Sequence, residues 1–425
     1  MNQFRYIARG LLAVIVVSPL VQARDFTASV SVKSAESDNA TKSIEDPIVE
    51  RQDTYLLTLS GDYDNTFLKT EVDYTGSDER FEKDSQESRS YLEGSSMLLL
   101  GALTDPMDIQ FKHSRTELLG TPDAINITNN QDERETLTVI PRVKKRISSS
   151  DLVIASVDYT QVGFLKNSLN DSERTSAQLN WLHQSTKVSQ LNFQIQRTDI
   201  AFEEFSDADY VYSSAVATYS TQLRKLGYTV AAGYNRSERS NDETYGSPTY
   251  AFSITYNDTL NSLQLMVSQA ITDSSMGGGN FSNPGSGVDS AYKVDQIERK
   301  NASITWLGNF ICDKCSLAVS VNKGVDDYVV LPDEIESQGG ALDFSYSISK
   351  KSSFSLRASK SEQQFVGDLV GQDYVLNFAS ASYRYEFDTG ISLRFFVEQE
   401  DRESDDAMKE YKEKLVGGEL AWTIF

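Results

Sequence analysis

Apolar and polar residues alternate in short runs along nearly the whole chain. Leu342, Phe344, Tyr346 and Ile348 alternate with Asp343, Ser345 and Ser347. A lysine pair interrupts, and Phe354, Leu356 and Ala358 then alternate with Ser355, Arg357 and Ser359. Side chains of a strand point to opposite faces in turn, so this period of two predicts a hairpin with one apolar and one polar face. The pattern recurs. Tyr55, Leu57, Leu59, Gly61 and Tyr63 precede an Asp64-Asn65 turn and Leu68, Thr70, Val72 and Tyr74. Tyr250, Phe252, Ile254 and Tyr256 precede Asn257-Asp258 and then Leu263, Leu265 and Val267. Ala379, Ala381, Tyr383 and Tyr385 precede Asp388-Thr389-Gly390 and then Ile391, Leu393, Phe395 and Val397.

Between hairpins lie longer polar segments such as 77–88, 274–287 and 400–410. The order strand, long loop, strand, short turn repeats at roughly 40 residues per cycle, which reads as hairpins rather than a solenoid. From Phe26–Val32 to Val416–Phe425 about 20 strands are predicted. They give nine short turns at one end and ten long loops at the other, with both termini on the short-turn side. An even number of antiparallel strands, each about 9–12 residues, is what a closed barrel across a bacterial outer membrane requires. The apolar face then packs against lipid and the polar face lines a wet lumen. A soluble sandwich would instead bury its apolar face under a second sheet. Aromatic residues near the short-turn ends (Tyr63, Trp181, Tyr219, Tyr228, Tyr256, Trp306, Phe354, Phe387 and Trp422) suit an interfacial girdle. Pro141 lies within a strand, where a bulge is expected.

Composition agrees. The 425 residues carry a net charge of −22, with 21 Tyr and 20 Phe but only 8 Pro and 2 Cys. Mean hydropathy is −0.40. The acidic balance argues against nucleic acid as a partner. Residues 1–23 read as a secretory signal peptide, with Arg5 and Arg9 before a short apolar core at Leu11–Val17 and a small-residue site at Ala23. Residues 24–425 are then the barrel. No later apolar run is long enough for a membrane helix.

The C-terminal GGELAWTIF, together with the leader and the hairpins, resembles Gram-negative outer-membrane β-barrels. In those the last strand commonly ends in Phe and is read by the barrel assembly machinery, a role that would fall to Trp422 and Phe425. The same-face residues Thr423, Ala421 and Glu419 depart from the usual apolar alternation. More narrowly, hairpins such as LTLSGDYDNTFLKTEVDYTG (57–76) resemble the β-barrel porin group associated with exopolysaccharide production and surface-protein sorting. A barrel of about 20 strands should have a lumen wider than the 8-stranded types, so a passive channel is expected; the resemblance adds saccharides or exopolysaccharide as its cargo, with outer-membrane lipid, lipopolysaccharide and polysaccharide export components as partners. The alternatives are a non-conducting scaffold for surface assembly or attachment, and a sheath around a periplasmic electron-transfer protein.

Candidate chemistry is sparse. No enzyme is indicated: His113 and His183 are expected on the strand ends of different hairpins, with nothing in the sequence placing a serine and an acid opposite either. Cys312 and Cys315 lie in a short turn, and in an exported chain they should pair as a disulfide rather than act as a redox centre, since no helix N-terminus supports a thiolate there. No CxxCH haem motif, no cofactor site and no further Cys or His ligands for a metal accompany them. The acidic loops lack EF-hand spacing, and GGGN (277–280) lacks the strand-to-helix context of a phosphate cradle. Charges on the lumen parity are the functional candidates: Lys69, Glu71, Asp73, Glu93, Lys112, Arg142, Lys144, Asp158, Asp343, Arg357, Arg384, Glu386, Arg394 and Glu398. They could form a selectivity filter or a salt-bridged wall. Whether the longest loops fold inward would separate channel from scaffold, and residues 272–292 and 323–337 are the candidates.

Overall fold

In the computed structural model, residues 26–101, 106–240, 243–276, 293–309 and 312–424 are described. Residues 1–23, where a signal peptide is expected, lie outside them, as do GGGN, Phe425 and most of the 274–287 loop. Twenty strands form one sheet. They are β1 (Thr27–Ser37), β2 (Glu50–Asp64), β3 (Leu68–Phe81), β4 (Arg89–Leu100), β5 (Met107–Leu119), β6 (Gln131–Arg146), β7 (Asp151–Phe164), β8 (Ser172–Gln184), β9 (Ser189–Phe202) and β10 (Tyr210–Gln222). They continue as β11 (Leu226–Arg239), β12 (Thr244–Asn257), β13 (Asn261–Asp273), β14 (Gln296–Gly308), β15 (Cys315–Tyr328), β16 (Glu334–Ser347), β17 (Ser352–Val366), β18 (Tyr374–Glu386), β19 (Ile391–Ser404) and β20 (Tyr411–Thr423). Each pairs antiparallel with its neighbours in sequence, and β20 returns to β1 through the register Ser29↔Thr423 to Ser37↔Leu415. The sheet is therefore a closed barrel with no free edge, the condition for a sheet to sit in lipid with its backbone satisfied.

The alternation decides the faces. Val30 pairs with Leu57, Val397 with Val416, and Leu263 with Trp306. Leu57 and Val416 are each 57% exposed, although both are apolar. Only lipid makes such a surface favourable, at roughly 25 cal/mol per Å² of apolar area removed from water. Trp181, Tyr256, Phe387 and Trp422 are exposed near the short turns, and Trp181 stacks on Phe193 with ring centroids 5.4 Å apart. A second exposed aromatic ring, Tyr55, Tyr159, Tyr234 and Tyr250, lies about eight residues higher. Eight residues of tilted strand span roughly 20 Å along the barrel axis, close to the height of an outer-membrane apolar band.

The strands run past that band, from 11 to 16 residues. Segments such as Ser77–Phe81 and Glu400–Ser404, which read as loop, are therefore strand: beyond the lipid both faces meet water, so alternation fades while the backbone ladder continues. The expected loop at 323–337 is corrected for the same reason, because β15 and β16 leave only 329–333 between them. Pro141 also differs from expectation. It interrupts the β6–β7 ladder between Val139↔Tyr159 and Arg142↔Ser156, but both strands advance by three residues and the register does not slip. With no N–H to donate, proline drops a rung without adding a residue.

One seam is incomplete. The β4–β5 ladder runs only from Gly94↔Arg115 to Leu100↔Ile109. Gly94 has φ 138°, and a Cβ there would lie 2.1 Å from the carbonyl oxygen of Asp73, so only glycine fits. Above it Arg89 bonds Gln131 at 2.5 Å and Glu133 at 3.1 Å, with Glu117 at 3.6 Å.

Candidate functional site: a plugged lumen

The inner face carries a cavity of about 1360 Å³. It is lined at the short-turn end by Asp62, Asp64, Lys69 and Glu71 and at the other by Arg174, Asp273 and Arg299. Lys69, Glu71, Asp73, Lys112 and Asp158 of the sequence candidates line it directly. Most of the remaining candidates are paired. Arg142 and Lys144 both bond the carboxylate of Asp108, Arg142 at 2.6 Å. Asp343 lies opposite Arg357 in the β16–β17 register, 3.5 Å away. Arg384 reaches Glu386 at 3.4 Å, and Arg394 reaches Glu419 at 3.4 Å and Glu398 at 3.8 Å. Glu93 sits opposite Thr75 on the inner parity. Charge on this wall is thus largely compensated within it, and Lys69 itself bonds Glu71 at 2.8 Å.

At the long-loop end two segments dock on other parts of the wall. The first continues from β13. Asp273 accepts from Arg174 Nη2 at 2.6 Å and from the Tyr210 hydroxyl at 2.7 Å. Ser274 donates to Asn170 at 3.0 Å, and Met276 packs against buried Leu118, Val162 and Phe164. The inner wall is apolar just where this segment docks, so the plug has a small core of its own.

The second segment, 120–130 between β5 and β6, has no counterpart in the sequence reading. It crosses to strands on the far side of the chain order. Arg402 of β19 donates from Nη1 to the Ala124 carbonyl at 2.8 Å and from Nη2 to the Asp123 carbonyl at 2.6 Å. Tyr374 of β18 donates to the Pro122 carbonyl at 3.3 Å. Lys409 bonds the Asp123 carboxylate and also donates to Gln372 Oε1 at 2.7 Å. Burial alone would raise the Asp123 carboxyl, but the bonds from Lys409 and Thr121 outweigh it and hold it below its ordinary 3.8. Gln86 ties three loops together, donating to the Ala40 carbonyl at 2.6 Å and accepting from the Thr128 amide at 2.9 Å. In the first loop Lys42 bonds Glu400 at 2.6 Å. Burial would lower its pKa, yet the carboxylates of Glu400 and Glu413 raise it overall. The signal that could have found this latch is Pro122-Asp123, a turn former followed by an acid, but nothing local names partners about 280 residues away.

Cys312 and Cys315 form a disulfide in the β14–β15 turn, Cα–Cα 5.1 Å. The histidine reading needs correction. His113 lies within β5, not at its end, with Tyr74 Oη 2.6 Å from Nδ1 and Glu135 3.0 Å from Nε2. Ser96 stands opposite it but bonds the Tyr74 hydroxyl at 3.1 Å. His183 is 2.9 Å from Asp151. Acids thus accompany both rings because neighbouring strands bring them there, which spacing along one strand cannot reveal.

No protein-family model matches the chain, and no curated protein is similar in sequence. Similar solved structures include the FrpB iron transporter from Neisseria meningitidis (F3-3 variant), at 10% identity and a TM-score of 0.45, covering 95% of this chain and 83% of that chain. OccAB4 of Acinetobacter baumannii is similar at 10% identity and a TM-score of 0.43, covering 95% and 99%. The outer membrane protein OpdK of Pseudomonas aeruginosa is similar at 10% identity and a TM-score of 0.39, covering 94% and 99%.

Proposed function

We propose that this protein is an outer-membrane channel for polar solutes, saccharides among them, closed at rest by loops at its extracellular mouth. The observation that carries the reading is the polar cavity of about 1360 Å³ inside a closed barrel. A barrel this wide that served only as a scaffold would have no need of a wet interior, and smaller barrels fill theirs with side chains. The exposed apolar band between two aromatic rings supports the membrane location, and the short-turn end then faces the periplasm. The saccharide class rests on the resemblance of the hairpins, together with the hydroxyl, amide and carboxylate groups of the lining.

The test is solute flux into liposomes. Vesicles carrying the folded protein should swell in small sugars only after the 120–130 latch is loosened, and the rate should fall with sugar size. Folded protein that admits no sugar with the latch removed would contradict the channel. It would leave the rival reading, a scaffold for surface assembly or polysaccharide export partners, which the two inward loops favour.

A further inference from the structure

The latch docks on a buried arginine. Arg402 is 3% exposed, yet among the described residues no carboxylate lies within ion-pair distance of it. Its guanidinium sits 3.8 Å from the centroid of the Tyr374 ring. Two of its nitrogens donate to the carbonyls of Asp123 and Ala124, and its buried Nε has no hydrogen-bond partner. Nearby Glu400 is engaged by Lys42 and Tyr411. Neutral carbonyls are poor partners for a buried cation: a carboxylate would bond it about twice as strongly and could take two donors at once. The other nearby carboxylate, Asp123, is drawn aside to Lys409. Gln372 Oε1, on the same ammonium, offers an acceptor to a hydroxyl.

We infer that Arg402, Lys409, Tyr374 and Gln372 form a binding site for an acidic saccharide, which segment 120–130 fills in the closed state with Asp123 in place of the ligand carboxylate. The ligand's carboxylate takes Arg402 and Lys409, and its hydroxyls meet Gln372. Displacing Asp123 removes the bonds that hold the loop across the mouth, so binding and release of the loop are one event. The inference uses the closed-mouth geometry, and its saccharide class rests on the channel reading above.

The experiment needs no current. The folded protein in detergent micelles, labelled with an environment-sensitive dye at Asn126→Cys, is titrated with oligogalacturonate and, separately, with neutral dextran oligomers. Calorimetric binding is followed on the same samples. Saturable binding of oligogalacturonate alone, with a dye shift of the same midpoint, is expected. Arg402→Gln should weaken binding about tenfold or more, the equivalent of losing one charge-assisted interaction. Asp123→Asn, which removes the internal competitor and keeps the site, should tighten it, an effect that a merely structural role would not produce. Binding without a dye shift, equal binding of dextran, no binding at all, or an Asp123→Asn affinity unchanged from wild type would each overturn the site. If the loop is released but liposomes still admit no sugar, the site stands and the channel fails.

Discussion

Arg402 Nη2 donates to the Asp123 carbonyl at 2.6 Å, joining residues 279 positions apart in the chain. Strand order alone keeps β5 and β19 on well-separated staves, so this bond can form only by carrying the 120–130 loop across the mouth. The loop is thereby a strut between two parts of the wall. Its anchors are few and namable, and perturbing them gives distinct outcomes.

Gln86→Ala removes both bonds that tie the first, second and third long loops together. Each bond contributes about 1 kcal/mol. The expected result is a higher open probability in planar bilayers, by roughly thirtyfold in the closed-to-open equilibrium for both bonds lost, with the barrel still folded by its resistance to SDS at room temperature. Unchanged gating in folded protein would show that the loops close independently.

Acidification should open the latch. Asp123 has its carboxyl held below the ordinary 3.8, so its contribution to the closed state is fully present above that value. It is lost as pH falls through the lower, folded value. Open probability should therefore stay flat from neutral pH down to about 4 and rise below it, and the Asp123→Asn variant should lack that step. The measurement is conductance against pH in both proteins.

The second plug has a different weak point. Asp273→Ala leaves Arg174 buried without its carboxylate, a change that costs about 3–5 kcal/mol in comparable buried pairs. Segment 274–276 should detach, and a cysteine placed at Met276 should become reactive toward a water-soluble thiol reagent. Continued protection would mean that Met276 and its three apolar neighbours hold the plug without the ion pair.

The lipid face should tolerate no charge. Ile304→Arg, at an exposed position within the band, should cost about 2–4 kcal/mol and impair folding into bilayers. Ser355→Arg, on the inner face opposite Ser345 and Ser382, should fold normally. Folding yields in lipid vesicles distinguish the two.

Reducing Cys312–Cys315 should leave gating unchanged. The bridge closes a loop of only four residues, so chain entropy assigns it about 2 kcal/mol at most. A redox-dependent conductance would revive an electron-transfer partner.

The sequence displayed the barrel because each hairpin states its own faces: Leu57 and Val416 are out and Asp343 and Arg357 are in by alternation alone. The disulfide was legible because the chain has only 2 cysteines, three positions apart. The latch was not legible. Arg402 and Lys409 fall in the 400–410 segment that reads as a polar loop, and their meeting with Asp123 depends on barrel closure, a property of all twenty strands together. Loop length and glycine content pointed to 272–292, where Asp273 to Met276 do turn inward, and to 323–337, where the strands simply continue.

The most direct measurement is single-channel current from the refolded protein in planar bilayers, wild type beside Arg402→Gln. The account predicts a mostly closed wild type and a variant with long openings of large, sugar-blockable conductance. Silence in both, from protein shown to be folded and inserted, would contradict it.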